Sequence, residues 1–215
     1  FHRVYNKFIR AKKVFSGMDF DYNGRSERER LPRIMKHYGL KNIRLKGDLS
    51  YSKKDKEVIS KIFKKNKLKG KKVVLIHPVT PLEEKNWNPS NWQDFMRSYS
   101  KKNKSVVFGL LGTPDQKEIL ESFIADDLKS SVFNLAGEIN IVQLILMIGK
   151  SNLIVGSDSG PVHLAEITET PIVVLFGPTN VKMWGPPEDQ GVAVQEKDVA
   201  SISVENVLKA CRKFV

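Results

Sequence analysis

The sequence holds a single cysteine, Cys211, among 215 residues. That excludes an internal disulfide framework and fits a reducing compartment. No stretch approaches the ~18 consecutive apolar residues of a membrane-spanning helix. With 14 Gly and 10 Pro, neither residue is abundant enough for a collagen repeat or a low-complexity fibre. No internal repeat is visible. No secretory pattern follows Phe1, because His2, Arg3, Lys7, Arg10, Lys12 and Lys13 interrupt any apolar run. A G-x-G-x-x-G fingerprint, a Walker lysine loop and a G-x-S-x-G elbow are missing as well. What remains is 40% hydrophobic and 28% charged, enough apolar content for a folded core.

Charge is the most uneven property. The formal net charge is +12. Residues 1–72 carry 16 Lys and 7 Arg against 7 acidic residues, a balance of +16, whereas residues 73–215 carry −4. The imbalance suggests an anionic partner and places it with the first third. The break at 72/73 sets the expected boundaries. They are a basic N-terminal segment over 1–72, an α/β domain over 73–200 and a C-terminal helix over 201–215.

Within the basic third, Val4, Tyr5, Phe8 and Ile9 have helical spacing. Residues 17–25 read as a loop. Glu27 to Tyr38 reads as a helix stopped by Gly39. Ser52 can cap a further helix with Val58, Ile59, Ile62 and Phe63 on one face. Lys53, Lys54, Lys56, Lys61, Lys64 and Lys65 then form its solvated face.

From Val73 onward, short apolar runs alternate with amphipathic stretches. The runs are Val73–Ile76, Val106–Leu111, Val132–Leu135, Leu153–Val155 and Ile172–Phe176, with Val192–Val194 as a further short strand. Ser90–Tyr99, Pro114–Ile124, Ile141–Ile148 and Pro161–Ile167 read as helices between them, and Ser203–Phe214 as a closing helix. Ser90 and Gln93 have capping-box spacing. Continuous β-branched strands alternating with helices predict a parallel sheet covered on both faces. Such sheets bind ligands beyond the carboxyl ends of their strands.

Each strand end here carries Gly or Pro with polar groups. His77-Pro78-Val79-Thr80 follows the first run, with Lys85-Asn86-Trp87 beyond it. Gly112-Thr113-Pro114-Asp115 follows the second and Ala136-Gly137-Glu138 the third. Gly156-Ser157-Asp158-Ser159-Gly160-Pro161-Val162-His163 follows the fourth, and Gly177-Pro178-Thr179 the fifth. In the fourth loop Ser159 can cap a helix, Gly160 admits a ligand close to the backbone, and Pro161 suits the first turn. The helix N-terminus with His163 then makes an anion site. Asp158 would repel phosphate, so sugar hydroxyls suit it better. A capped helix with a structural Asp and His is the plainer alternative. Ser157-Asp158-Ser159-Gly160-Pro161 also resembles the active-site serine segment of chymotrypsin-like proteases, but those are all-β proteins. His77 and His163 show no metal-ligand spacing.

Taken together, these segments resemble glycosyltransferase family nine, the ADP-heptose:lipopolysaccharide heptosyltransferases. The resemblance runs from Val73 to about Pro187. It rests on the His77-Pro78 opening, Lys85 with Trp87, the Gly112 loop, Leu135-Ala136-Gly137, Asp158 through Ala165, and Phe176-Gly177-Pro178-Thr179. Residues 28–40 look like the end of that family's first domain. The resemblance implies a GT-B fold: a Rossmann-like C-terminal donor domain with a partial N-terminal acceptor domain. It also implies a fragment at Phe1 whose catalytic base lies upstream.

Carried over, Lys85 meets donor phosphate and Asp115 the ribose. Ser159 and Gly160 hold the pyrophosphate, and Asp158 and His163 lie on sugar and phosphate. Thr80, Gly112, Gly177 and Thr179 complete a donor pocket. No catalytic residue, metal ligand or cofactor is expected in the chain itself. Two departures stand out: Val79 replaces the family's usual glycine, and Glu166 and Ile167 replace small residues.

The expected activity is inverting transfer of heptose, or a related sugar, from an ADP-sugar to lipopolysaccharide core. It would be cytoplasmic, with peripheral contact to the anionic inner face of the bacterial inner membrane. The alternatives are a GT-B enzyme or epimerase using another sugar nucleotide, and a non-enzymatic binder of an anionic polymer or membrane. The basic third lacks the interleaved aromatics of RNA modules, so nucleic acid is not an expected partner.

Overall fold

The computed structural model describes residues 50–214. The expectations for the helices at 1–15 and 27–38, the loop at 17–25 and the family likeness at 28–40 lie outside the described residues. The described residues fall in one compact unit, which spans 46–215.

Six parallel strands form one sheet in the order β3-β2-β1-β4-β5-β6. They are β1 (Lys72–His77), β2 (Val106–Leu110), β3 (Val132–Asn134), β4 (Leu153–Ser157), β5 (Ile172–Phe176) and β6 (Gly191–Gln195). Each lies on one of the apolar runs read from the sequence. This is the doubly wound Rossmann order, with its reversal between β1 and β4. Parallel pairing demands crossovers, and helices supply most of them. In chain order the helices are α1 (Lys53–Lys65), α2 (Pro89–Lys102), α3 (Lys117–Glu121), α4 (Ile141–Gly149), α5 (Gly160–Thr168), α6 (Val181–Trp184) and α7 (Val204–Cys211).

Strand side chains alternate between two cores, as a pleat requires. Val74, Ile76, Val155, Val173 and Leu175 face Trp92, Phe95, Met96 and Tyr99 of α2 and Val207, Ala210 and Cys211 of α7. Val73, Leu75, Ile154, Ile172, Val174 and Phe176 face Ile59 and Ile62 of α1, Leu146 to Ile148 of α4, and Val162 and Ala165 of α5. Helix α1 therefore packs with the sheet although it lies in the basic stretch. Its six named lysines are exposed, so charge and packing divide the chain at different places. Ser52 caps α1 in a full capping box with Asp55. Among the described residues no helix is long and apolar enough to cross a membrane.

One expected cap is corrected. Asn88, not Ser90, caps α2: its side chain accepts from the Ser90 N–H while Pro89 occupies the first turn. Gln93 instead donates to the Ser122 carbonyl at 3.2 Å. Proline has no N–H to lose at that position, so the helix starts there more readily than after Ser90.

The β1–β4 seam requires a glycine. Gly156 stands opposite His77 in the register. A Cβ there would lie 3.0 Å from both the His77 carbonyl oxygen and Val162.

Candidate functional site

The carboxyl ends of the strands carry two different surfaces, one on each side of the β1–β4 seam. The β1–β3 side holds a slot of about 260 Å3. Its lining is mostly apolar, including Leu111, Pro114, Leu135, Ile139, Ile141 and Leu144. His77, Gly112 and Gly137 also contribute. Gly137 takes a left-handed backbone, φ 71°, and a Cβ there would press on Pro114 at 3.0 Å. The slot's shape thus depends on a residue with no side chain.

His77 is buried, and burial lowers its pKa to about 4, so the ring is neutral. The Ser159 hydroxyl lies 2.9 Å from His77 Nδ1 and donates its single proton to the Ser157 carbonyl, also at 2.9 Å. It therefore accepts the Nδ1 proton, which leaves His77 Nε2 as an acceptor. This corrects the expectation that the Ser159 side chain caps α5. The residue stands at the cap position, but its hydroxyl makes no cap bond.

The β4–β5 side is charged. Lys85 sits in a 3-10 turn over Glu83–Lys85, and its Nζ lies 2.6 Å from Asp158 Oδ2. The side chains are 21% and 7% exposed, so this pair is screened far less than a surface pair. His163, in the first turn of α5, places Nε2 3.3 Å from Asp158 Oδ1 and Nδ1 3.3 Å from Glu166 Oε1. Hydrogen bonds to Asp158 and then Glu166 raise the His163 pKa to about 9, against the opposing effect of burial. Burial pushes the Asp158 carboxyl up, but the hydrogen bonds from His163 and Lys85 together hold it below its ordinary value. The cluster is thus a chain of alternating charge, Lys85, Asp158, His163 and Glu166, at the start of a helix. The Trp184 ring stands 6.1 Å from the imidazole.

Two residues on, Trp87 fixes the Lys85 turn. Its indole is buried and donates from Nε1 to the Ile202 carbonyl at 2.9 Å. Its ring meets Trp92 edge-on at 5.0 Å.

The remaining expected site residues divide. Gly160 opens α5, and open space lies where its Cβ would be. Gly112 lines the slot. Asp115 lies in a 3-10 turn next to the lining residues Thr113 and Pro114, exposed and outside the lining itself. The Thr80 hydroxyl donates to the Leu82 carbonyl, shaping the loop that leads to Lys85. Gly177 packs against Val199, and the Gly177 and Thr179 carbonyls both accept from Gln195. The last three serve loop geometry here.

His77, Glu166 and Trp184 belong to the arrangement and were missed as site residues. The i,i+3 spacing of His163 and Glu166 was the available signal for one of them. Among the described residues, no group of three or more His, Cys, Asp or Glu side chains could hold a metal ion.

Residues 31–211 match glycosyltransferase family 9 (heptosyltransferase). The chain belongs to that family. Among curated relatives, it is 29% identical over 131 residues to the lipopolysaccharide core heptosyltransferase OpsX of Haemophilus influenzae. That alignment covers 60% of this chain and 38% of the relative. It is also 29% identical over 119 residues to lipopolysaccharide heptosyltransferase 3 of Escherichia coli, covering 54% of this chain and 34% of that one. The match therefore spans little more than a third of either relative.

Two solved structures share the family 9 fold. The glycosyl transferase family 9 protein from Veillonella parvula superposes with a TM-score of 0.81 at 17% identity. It covers 90% of this chain and 61% of its own. The E. coli heptosyltransferase WaaC with ADP superposes with a TM-score of 0.69 at 15% identity, covering 99% and 62%. These likenesses establish the fold. The parallel sheet with flanking helices is that of a GT-B C-terminal domain.

Proposed function

We propose that this family 9 chain binds the nucleotide-sugar donor of a glycosyltransferase at the carboxyl ends of its strands, across the β1–β4 seam. The observation that carries the reading is the convergence of Lys85 and His163 at the open N-terminus of α5, beside an apolar slot. A diphosphate needs cations and free backbone N–H groups, and both are present together. A base and ribose need an enclosed, mostly apolar recess with a few polar atoms. ADP is named in the structure of one fold relative, and heptosyltransferases are the curated relatives. Both support ADP-heptose as donor and a lipopolysaccharide core acceptor.

In this reading Lys85 and His163 neutralise the diphosphate. Ser159 and Gly160 line its approach. Asp158, released from Lys85, accepts from donor sugar hydroxyls, and Asp115 reaches the ribose from beside the slot. Thr80, Gly112, Gly177 and Thr179 shape the surrounding loops. An acceptor hydroxyl attacks the anomeric carbon from the face opposite the diphosphate. The new C–O bond forms as the bond to the leaving phosphate breaks, inverting the centre. The hydroxyl proton passes to a base outside the described residues. Charge accumulating on the leaving diphosphate is met by Lys85, His163 and the α5 N–H groups. The exposed lysines of α1 support a peripheral contact with anionic headgroups at the cytoplasmic face of a membrane.

Titration calorimetry of the chain with ADP, UDP and GDP tests the reading. Binding of ADP ahead of the others, lost in Lys85→Ala and His163→Ala, is the expected result. A folded chain that binds no nucleoside diphosphate would refute it.

A further inference from the structure

His163 is approached by acidic oxygens at both ring nitrogens. Asp158 lies on Nε2 and Glu166 on Nδ1, each at 3.3 Å. Ionised carboxylates accept and cannot donate, whereas a neutral imidazole donates from one nitrogen only. Two carboxylate partners therefore select the doubly protonated, cationic ring. The two partners are not equivalent. Asp158 is shared with Lys85 at 2.6 Å and faces the open start of α5. Glu166 lies one turn along α5, away from that opening, and its side chain is 20% exposed.

An anion arriving at the helix start competes for Lys85 and for Nε2, so it disturbs the contacts of Asp158. The contact at Nδ1 lies on the far side of the ring and is left in place. We infer that Glu166 is a positioning residue: it grips His163 by Nδ1 so that Nε2 presents a cationic N–H to the donor phosphate after Asp158 has let go. The inference rests on the donor-site reading above and adds to it a residue that touches no ligand.

The other groups around the ring agree with this division. Lys85 reaches the ring only through Asp158. The Trp184 ring, from α6, carries no charge. Glu166 also borders a cleft of about 540 Å3 whose other charged groups, Glu169 and Asp189, are both acidic. The Nε2 side faces a carboxylate already engaged by a lysine.

The test uses the whole 215-residue chain. The His163 ring proton is followed by NMR from pH 6 to 10, assigned with His163→Ala, in the wild type, Glu166→Ala and Glu166→Gln. ADP affinity is measured by calorimetry at pH 6 and pH 9.5, and thermal melts confirm folding. The wild-type ring is expected to titrate near pH 9. Glu166→Ala should lower that midpoint by about one unit, a tenfold change in proton affinity. Glu166→Gln keeps an acceptor without the charge and should fall between. ADP binding in Glu166→Ala should weaken roughly five- to tenfold at pH 9.5, where the lowered midpoint leaves few rings protonated, and by less than about twofold at pH 6, where the ring stays protonated.

A His163 midpoint unmoved in Glu166→Ala would overturn the inference whether or not ADP binds. So would equal losses of affinity at both pH values, the mark of a purely structural role. A shifted midpoint in a chain that binds no ADP would instead sink the donor reading and leave the grip on the ring standing.

Discussion

The two sides of the β1–β4 seam are built from opposite materials. On the β1–β3 side the walls are apolar, and the one titratable ring, His77, is kept neutral by burial. On the β4–β5 side four charged groups follow one another, and the histidine there, His163, is held protonated by two carboxylates. The two imidazoles belong to one rim of one sheet, and their pKa values are driven in opposite directions. Sequence spacing does not separate them, since each is a lone histidine at, or a few residues past, the end of a buried strand. The difference lies in neighbours: a serine hydroxyl and a neighbouring strand's backbone for one, Asp158 and Glu166 for the other.

The comparison can be broken most forcefully at Lys85. Lys85→Ala leaves the mostly buried Asp158 with only His163 as partner and removes one of the two cations. Losing the lysine from a buried lysine–phosphate pair costs about 2–5 kcal/mol of binding, so calorimetry should show ADP affinity falling by about 30-fold or more. Adenosine, which carries no phosphate, should bind as before. Equal losses for both ligands would mean that the two sides do not divide the work.

The complementary lesion is Gly137→Val. A β-branched residue at φ 71° that also presses on Pro114 should cost about 1–3 kcal/mol of stability and narrow the slot. Adenosine binding should weaken, and binding of inorganic pyrophosphate to the charged side should not. A variant that melts like the wild type would show that the loop is not held in this conformation.

The opposed histidines give a pH signature. The His163 pKa rises on folding from its ordinary value near 6.5 to about 9. Its stabilisation is therefore complete below about pH 6.5 and is lost as pH rises toward 9. The His77 pKa falls to about 4, so the unfolded chain binds that proton more readily. Stability then declines as pH drops from about 6.5 toward 4. Each limb should amount to something on the order of 1 kcal/mol, because solvent and the coupled neighbours trim the full shift. In melts across pH, His163→Ala should flatten the alkaline limb and His77→Asn the acid one. A single variant flattening both would join the two sides that the geometry separates.

Salt gives the smallest expected effect. Raising ionic strength from about 50 to 500 mM should weaken ADP roughly three- to tenfold and leave adenosine nearly unchanged.

The sheet was readable because its strands are buried on both faces. Continuous runs such as Ile172–Phe176 announce that directly, and β5 has those bounds. The anion side was partly readable, because Lys85, Asp158, Gly160 and His163 sit in loops that must follow strands. What the residues could not convey was how side chains with two possible partners would choose. Ser159 had both a helix N–H and a distant imidazole within reach, and the imidazole won because the register sets His77 beside the same loop. Ser90 lost its cap to Asn88 because Pro89 fixed where the helix begins. The Thr80 hydroxyl donates to the Leu82 carbonyl and the Thr179 carbonyl accepts from Gln195, loop contacts that the residue types alone do not announce. Glu166 stood out only as a departure from the family's small residues, and it faces the His163 ring.

The indole of Trp87 ties a loop near the middle of the chain to Ile202, 115 residues later. Lys85 stands two residues from that tie. The turn ahead of the last helix and the loop that carries Lys85 are therefore joined by a buried hydrogen bond. A substitution near Ile202 that loosened the knot would displace charge at the far rim of the sheet, like slack introduced at the anchored end of a stay. The carboxyl-terminal segment thus acts on the anion side without lending it an atom.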